Sequence, residues 1–202
     1  MKEHSIFVEG VADKRFIEQL IKHQFGTCDP NSIIKTDGCT NLTKMTYVNL
    51  MKRTSDDDGV NLVIFDADEK FDEIEKEILK WKKDNNLDFE LFLLPNNNSE
   101  GELEDLLENI INPENKAVMG CWENYEKSLK GITIPWRKGE PLTIPAKKTK
   151  IYAYLEALLG KSRSQKKLIK ENNRDYLNKD HWNLDAKALK PLADFLKYNL
   201  TD

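Results

Sequence analysis

The stretch that most restricts the fold of this sequence is an apolar run ending in two aspartates, residues 61–68 (NLVIFDAD). Four consecutive apolar residues leave no polar face, so the run predicts a strand buried on both sides, as in the centre of a parallel sheet. Asp66 and Asp68 follow it directly. Two anions at the end of a buried strand indicate either an acidic surface turn or a site for a cation.

Strand-like and helix-like segments alternate along the first half of the chain. Apolar runs predict four strands, in HSIFVEG, NSIIKTDG, NLVIFDAD and DFELFLLPNNN. Apolar residues at helical spacing predict a helix from Asp13 onward and three more in NLTKMTYVNLMKR, FDEIEKEILKWKKDNN and SEGELEDLLENII. The order βαβαβαβα predicts an α/β fold, a parallel four-stranded Rossmann-like sheet flanked by helices.

The pattern changes beyond about residue 113. Helical segments dominate there, in ENKAVMGCWENYEKSLKG, KTKIYAYLEALLG and the closing HWNLDAKALKPLADFLKYNL. We therefore predict a first domain over residues 1–113 and a mainly helical, basic extension over residues 114–202 that packs on it.

The cysteines and the hydropathy indicate a cytoplasmic protein. Cys28, Cys39 and Cys121 are odd in number and never form a CxxC pair, which argues against a disulfide framework and fits a reducing compartment. No apolar run approaches the roughly 20 residues that cross a bilayer. The first residues lack the apolar core of a signal peptide. We expect no contact with a membrane.

Charge is strongly segregated, although the net charge is only −4. Residues 61–126 carry 18 Asp/Glu against 6 Lys/Arg, whereas residues 127–170 carry 12 Lys/Arg against 2 Asp/Glu. The basic segment is either a solvated surface or a contact for a polyanion such as DNA or RNA. Its candidate nucleic-acid contacts are Trp136, Arg137, Lys138, Lys147, Arg163, Lys166 and Lys167. Trp136 lies among prolines, so it either stacks on a base or anchors the loop by packing.

Acidic residues follow three of the four predicted strands: Glu9, Asp66, Asp68, Glu102, Glu104 and Asp105. The carboxyl ends of parallel strands meet at one edge of a sheet, so these side chains are expected to converge. Converging carboxylates repel one another unless a cation neutralises them, and hard oxygen ligands favour Mg²⁺ or Mn²⁺. Ser99 competes with this interpretation, because it is placed to cap the fourth helix with Glu102 at the third position. Glu104 is therefore the better candidate ligand.

Three motifs occur in order: VEGVAD, IFDAD and GELEDLL. This set resembles a Toprim domain, the catalytic fold of topoisomerases, bacterial primases and several nucleases. The acidic GELEDLL segment is similar to the Toprim part of overcoming-lysogenisation-defect (OLD) family nucleases and their small relatives. The resemblance covers residues 1–107, about half of the chain.

The resemblance implies roles for particular residues of this sequence. The metal ligands it implies are Glu9, Asp13, Asp66, Asp68, Glu102 and Glu104, and the cofactor is Mg²⁺ or Mn²⁺. Glu9 is also the implied acid or base. A lysine on the C-terminal side is expected to stabilise charge, and Lys148 and Lys150 both match.

The leading hypothesis is a Mg²⁺-dependent nuclease that hydrolyses DNA or RNA, with phage defence as its setting. OLD nucleases carry an ATPase domain that this chain lacks, so the resemblance implies that any ATPase is a separate protein. A homodimer is left open. The first alternative is a partner-gated or non-catalytic Toprim module. The second is a haloacid-dehalogenase-like phosphatase, whose motif opens the domain, whereas here the DxD comes third and Glu69 and Lys70 follow it.

Overall fold

The structure is a computed structural model that describes residues 2–201. The strands in this part of the chain are β1 (His4–Val8), β2 (Ile33–Lys35), β3 (Val60–Asp66) and β4 (Glu90–Leu94). They form one parallel sheet in the order β2-β1-β3-β4. The predicted α/β fold with a four-stranded parallel sheet is thereby confirmed.

Helices follow each strand and make up most of the C-terminal half. They are α1 (Val11–Phe25), α2 (Met45–Asp56), α3 (Phe71–Asp84), α4 (Leu103–Asn109), α5 (Lys116–Lys130), α6 (Lys147–Leu159), α7 (Arg163–Ile169) and α8 (Lys190–Leu200). The helical C-terminal region agrees with its sequence pattern. Across residues 2–201, each helix is too short or too polar to cross a membrane.

Both faces of the sheet are covered, because successive side chains of β3 point to opposite sides. Leu62 and Ile64 pack with α1, α4 and the helices of the C-terminal half. Val63 and Phe65 pack with α2 and α3. The apolar run is therefore buried on both faces, which is what its lack of a polar face predicts.

The C-terminal half shares its core with the sheet. Tyr154, Tyr176 and Trp182 are buried in the same cluster as Ile6 and Val8 of β1. The Trp182 ring lies 5.5 Å from the Tyr154 ring and 5.3 Å from the Tyr176 ring, so the three aromatic side chains form a compact group. Large buried rings contribute much of the apolar area that stabilises a core.

Two ion pairs join α6 to α4. Lys147 Nζ lies 2.7 Å from Asp105 Oδ2, and Lys150 Nζ lies 2.7 Å from Glu108 Oε2. The spacing of three on each helix matches the two pairs, because residues three apart lie on one helical face. These contacts hold the start of α6 beside the carboxyl edge of the sheet.

The fourth helix begins later than its sequence suggests. Glu102 is its N-cap, and the Glu102 backbone N–H donates to Asp105 Oδ2 at 2.8 Å. Gly101 precedes it with a φ of 140°, where a Cβ atom would approach Asp105 Oδ2 to 2.7 Å. The prediction of Ser99 as the cap is therefore wrong, because the chain needs this glycine conformation before the helix can start.

Replacing Trp182 by alanine is expected to lower the free energy of unfolding by about 3–5 kcal/mol, because it empties a large volume inside the shared core. Chemical denaturation followed by circular dichroism measures the change. The matched control is Trp136→Ala, since Trp136 is 75% exposed and its loss should change stability by less than about 0.5 kcal/mol. Equal effects of the two substitutions would contradict the packing described above.

Candidate metal centre

The Glu9 side chain reaches across from β1 to β3. The two strands pair in parallel with Val8 opposite Ile64, so the residues after them leave the sheet side by side. The Asp66 backbone N–H donates to Glu9 Oε1 at 3.1 Å. On the other side, the Glu9 backbone carbonyl accepts from the Asp37 N–H at 2.9 Å. Glu9 is thereby held by both neighbouring strands.

Asp13 and Asp66 are each oriented by a backbone amide. Asp13 Oδ2 accepts from the Gly10 N–H at 2.7 Å, which turns the side chain back towards the end of β1. Asp66 Oδ1 accepts from the Leu103 N–H at 2.9 Å, at the first turn of α4. One carboxylate oxygen of each residue is occupied in this way, and the other oxygen is left for a further ligand.

These side chains line a pocket of about 530 Å³ at the carboxyl edge of the sheet. The acidic residues that line it are Glu9, Asp13, Asp37, Asp66, Glu102, Glu104 and Glu171. Lys148 supplies the one cationic side chain among the described residues that line the pocket. The pocket is therefore strongly acidic.

The pKa values show that this acidity is costly in the absence of a cation. Burial, followed by the charge of Asp13, raises the pKa of Glu9 to about 7. Burial and the charges of Asp13 and Glu9 raise the pKa of Asp66 to about 9. The pKa values of Asp13 and Glu104 are raised as well, chiefly by burial.

None of these four carboxylates forms an ion pair within residues 2–201. The acids that do pair with lysine or arginine lie outside the group. Asp13 and Glu104 are buried, and Glu9 and Asp66 are partly buried. Carboxylates in such positions without a cationic partner are rare, because each charge loses hydration. The four carboxylates together therefore carry negative charge without a positive partner. A bound divalent cation would neutralise this charge.

The donor set fits Mg²⁺ or Mn²⁺ in its chemistry, because it consists of hard carboxylate oxygens oriented by backbone amides. The side chains do not already surround one point: across residues 2–201, no three His, Cys, Asp or Glu side chains form a ready cluster around a metal position. An ion would have to draw the free oxygens of Glu9, Asp13, Asp66 and Glu104 together.

Asp68 lines a different cavity from this group, although its charge contributes to the raised pKa of Glu9. Its backbone has a φ of 47°, and its carbonyl accepts from the Gly101 N–H at 2.7 Å. The exposed Asp68 side chain lines a neighbouring cleft of about 670 Å³, which shares Glu102 and Ala146 with the acidic pocket. The structure thus does not bring both aspartates of the DxD motif into one pocket, an arrangement that does not favour the phosphatase alternative.

The two candidate lysines differ clearly in position. The Lys150 side chain is buried, pairs with Glu108 and does not line the pocket. Lys148 lines the pocket, and its Nζ lies 2.7 Å from Glu171 Oε1. Geometry therefore favours Lys148 over Lys150 as a group that acts at the acidic site.

The predicted nucleic-acid contacts lie on exposed segments of the C-terminal half. The three from α7, Arg163, Lys166 and Lys167, are exposed. Trp136 is also exposed, with the Arg137 guanidinium 5.9 Å from its ring, so it is not a packing anchor.

Two other predicted contacts flank these groups. Lys138 is exposed at a φ of 53°. Lys147 pairs with Asp105, which neutralises part of its charge. The structure therefore leaves α7 as the region with the most unpaired positive charge among the predicted contacts.

Three residues at or near the pocket carry no motif or spacing from which they could be predicted. Glu171 and Asp37 line it, and neither stands in a recognisable motif. Arg174 is fully buried behind the pocket, where its guanidinium opposes the rise that burial causes in the pKa of Glu104. A cluster of polar residues such as KENNRD predicts solvent exposure, which is the opposite of what Arg174 does.

The fold and the site define an α/β protein with an acidic pocket at the carboxyl edge of a parallel sheet, and this is the class to which the chain can be assigned on structure. A family model described as "Protein of unknown function (DUF3226)" matches residues 3–201, so the chain belongs to that family. No curated protein and no solved structure matches the chain.

Substituting Asp66 by asparagine is expected to stabilise the metal-free protein, and more so at high pH. Between the unfolded pKa near 4 and the folded pKa of about 9, the native state binds more protons than the unfolded state, so stability falls as the pH rises. Asparagine removes this loss while keeping an acceptor for the Leu103 N–H. Denaturation in EDTA should show a gain of at least about 1 kcal/mol at pH 8 and less at pH 5.

Asp88→Asn is the control for that measurement, because Asp88 is exposed on the way into β4. It should shift stability by less than about 0.5 kcal/mol at both pH values. If Asp66→Asn raises the free energy of unfolding no more at pH 8 than at pH 5, then Asp66 is not a partly buried carboxylate that lacks a cationic partner.

Proposed function

We propose that this protein is a Mg²⁺- or Mn²⁺-dependent nuclease that hydrolyses phosphodiester bonds of DNA or RNA, in the manner of the Toprim domains it resembles. The observation that carries the proposal is the meeting of Glu9, Asp13, Asp66 and Glu104 in one pocket. They come from three distant parts of the sequence, with Glu9 and Asp13 in one of them. Their carboxylates form no ion pair within residues 2–201. Such a group is suited to hold a divalent cation.

Metal binding would be divided among elements that the sheet holds together. Glu9 and Asp66 come from the ends of β1 and β3, Asp13 from the first turn of α1, and Glu104 from the first turn of α4. When bound, Mg²⁺ or Mn²⁺ supplies Lewis-acid activation of water and stabilises the departing oxygen. The backbone amides that hold Asp13 and Asp66 would keep the ligating oxygens aimed into the pocket.

Lys148 would serve the phosphate rather than the metal. Its side chain enters the same pocket from α6. Its ammonium would stabilise the negative charge that builds up on the phosphate in the transition state of the displacement. Lysine binds phosphate as a compact point charge. Glu102, which lines both the pocket and the neighbouring cleft, would border the path of the nucleic-acid strand. Asp68 would act on the site through its charge.

The basic surface of α7 would track the nucleic-acid backbone. α7 ends at Ile169, two residues before Glu171, which lines the acidic pocket, so the end of α7 is close to the site along the chain. Exposed positive charges beside an acidic, metal-binding pocket give a polyanion a place to bind without approaching the carboxylates.

Asp66→Ala is expected to lower metal-dependent cleavage by about 10²–10³-fold or more, because it removes a carboxylate from the centre of the site. Purified protein is incubated with Mg²⁺ or Mn²⁺ and with labelled single- and double-stranded DNA and RNA, and cleavage is followed on gels. Circular dichroism checks that the variant is folded. Unchanged cutting by the folded variant would rule out this site.

The same assay separates an autonomous nuclease from a partner-gated module. Robust metal-dependent cutting by the natural chain alone would eliminate an obligate partner. Asp88→Asn serves as the activity control, because its exposed carboxylate lies away from the pocket. Metal binding without cutting would instead favour a module that needs a separate ATPase.

Replacing Arg163, Lys166 and Lys167 together by alanine is expected to weaken nucleic-acid binding and its salt dependence. Each lost phosphate contact lowers the slope of log K against log salt by roughly 0.7–0.9. Fluorescence anisotropy at several salt concentrations, in Ca²⁺ or EDTA, measures both quantities.

The matched control replaces three exposed lysines of α3 by alanine, namely Lys76, Lys80 and Lys83. This replacement removes the same number of positive charges. If both triple variants lose affinity equally, binding is unspecific attraction to net charge and α7 has no special part in it.

A further inference from the structure

The segment that follows α7 is bonded to α1 by Arg15, whose Nε donates to the Arg174 carbonyl at 3.0 Å, and above all by the buried Gln19. Gln19 is 2% exposed, and its Nε2 donates to the Arg174 carbonyl at 2.7 Å. Its Oε1 accepts from the Tyr176 N–H at 2.6 Å and from the Leu177 N–H at 3.1 Å. A buried amide that satisfies three backbone groups ties the segment firmly, because losing any of these bonds leaves a buried polar group unpaired.

α1 therefore contacts residues on two sides of the pocket. Asp13 stands in its first turn, and Gln19, less than two turns further on, bonds to the backbone of residues 174–177, which begin three residues after Glu171. Glu171 enters the same pocket as Asp13. Asp13 is thus part of α1, and Glu171 is linked to the same helix through the residues that follow it.

Glu171 forms an ion pair with Lys148, whereas none of the candidate metal ligands Glu9, Asp13, Asp66 and Glu104 forms an ion pair within residues 2–201. The Lys148 Nζ and Glu171 Oε1 atoms lie 2.7 Å apart. An ammonium group beside four unpaired carboxylates would otherwise move towards them and occupy the place of a divalent cation. The Glu171 carboxylate competes for this ammonium at the side of the pocket.

We propose that Glu171 is a positioning residue, which holds the Lys148 ammonium away from the metal-binding carboxylates and aims it at the phosphate of the substrate. The inference rests on the proposed function, since it assigns Lys148 to the phosphate. Nothing in the motifs shared with Toprim domains specifies this glutamate. The position of Glu171 depends instead on the C-terminal half of the chain, which Gln19 bonds to α1.

A rival role for Glu171 is direct binding of the metal, and the two roles make opposite predictions for a double variant. If Glu171 only restrains Lys148, removing its charge matters because the freed ammonium moves onto the carboxylates. Removing Lys148 as well then cancels the effect. If Glu171 is itself a ligand, removing Lys148 restores nothing.

The test is Mn²⁺ binding by isothermal titration calorimetry, without nucleic acid, for the natural chain, E171Q, K148M and the double variant K148M/E171Q. E171Q is expected to weaken Mn²⁺ binding about tenfold, because an ammonium joins the carboxylates that would receive the ion. K148M alone and the double variant should both bind Mn²⁺ within about threefold of the natural chain. The loss in E171Q then appears only when Lys148 is present, which is strong non-additivity. E156Q, at an exposed position of α6, is the matched control and should bind as the natural chain does.

A second measurement uses turnover at saturating Mn²⁺. E171Q and K148M are expected to lower kcat by a similar factor of about 10–100 with little change in KM, and the double variant should fall no further. A residue with a purely structural role would lower melting temperature and activity without this shared loss.

The outcomes are distinct. Unchanged Mn²⁺ affinity in E171Q, or a double variant as weak as E171Q, would overturn the positioning role and leave the proposed nuclease intact. Failure of the natural chain to bind Mn²⁺ at all would overturn the proposed function and this inference together.

Discussion

The hydrogen bond from the Asp66 backbone N–H to Glu9 Oε1 is the contact on which the site depends. It exists because β1 and β3 are parallel neighbours in register, although 57 residues separate the two partners in sequence. Parallel pairing sends both strand ends to the same edge, and a buried strand end cannot spread its charges into water. The acidic pocket is thus a consequence of topology, and its raised pKa values are the electrostatic cost of that topology.

The C-terminal half completes what the sheet begins. Lys147 and Lys150 pair α6 with α4, so Lys148, which lies between them, is brought to the mouth of the pocket. Gln19 fixes the segment of Glu171 on the other side. A polar group that is buried and fully bonded specifies one arrangement more strongly than apolar packing does. The single cationic side chain of the pocket, within residues 2–201, is therefore supplied and aimed by the second half of the chain.

Sequence reasoning reaches the parts of this structure that local pattern controls. The alternation of apolar runs and helical spacing yields the parallel sheet, and the acids at strand ends yield Glu9 and Asp66. Pattern does not show that Asp68 turns out of the pocket, because a positive φ for a non-glycine residue depends on the bond to Gly101. Nor does it reveal Glu171 or the burial of Arg174, since both depend on contacts with distant residues.

Whether these carboxylates form a site for a divalent cation can be measured by diffraction from crystals soaked in Mn²⁺. We expect an anomalous difference peak in the pocket, within coordination distance of oxygens of Glu9 and Asp66, and no such peak in crystals of Asp66→Ala. An empty pocket in soaked crystals, with Mn²⁺ bound only at surface acids elsewhere, would show that these carboxylates are not a site for a divalent cation.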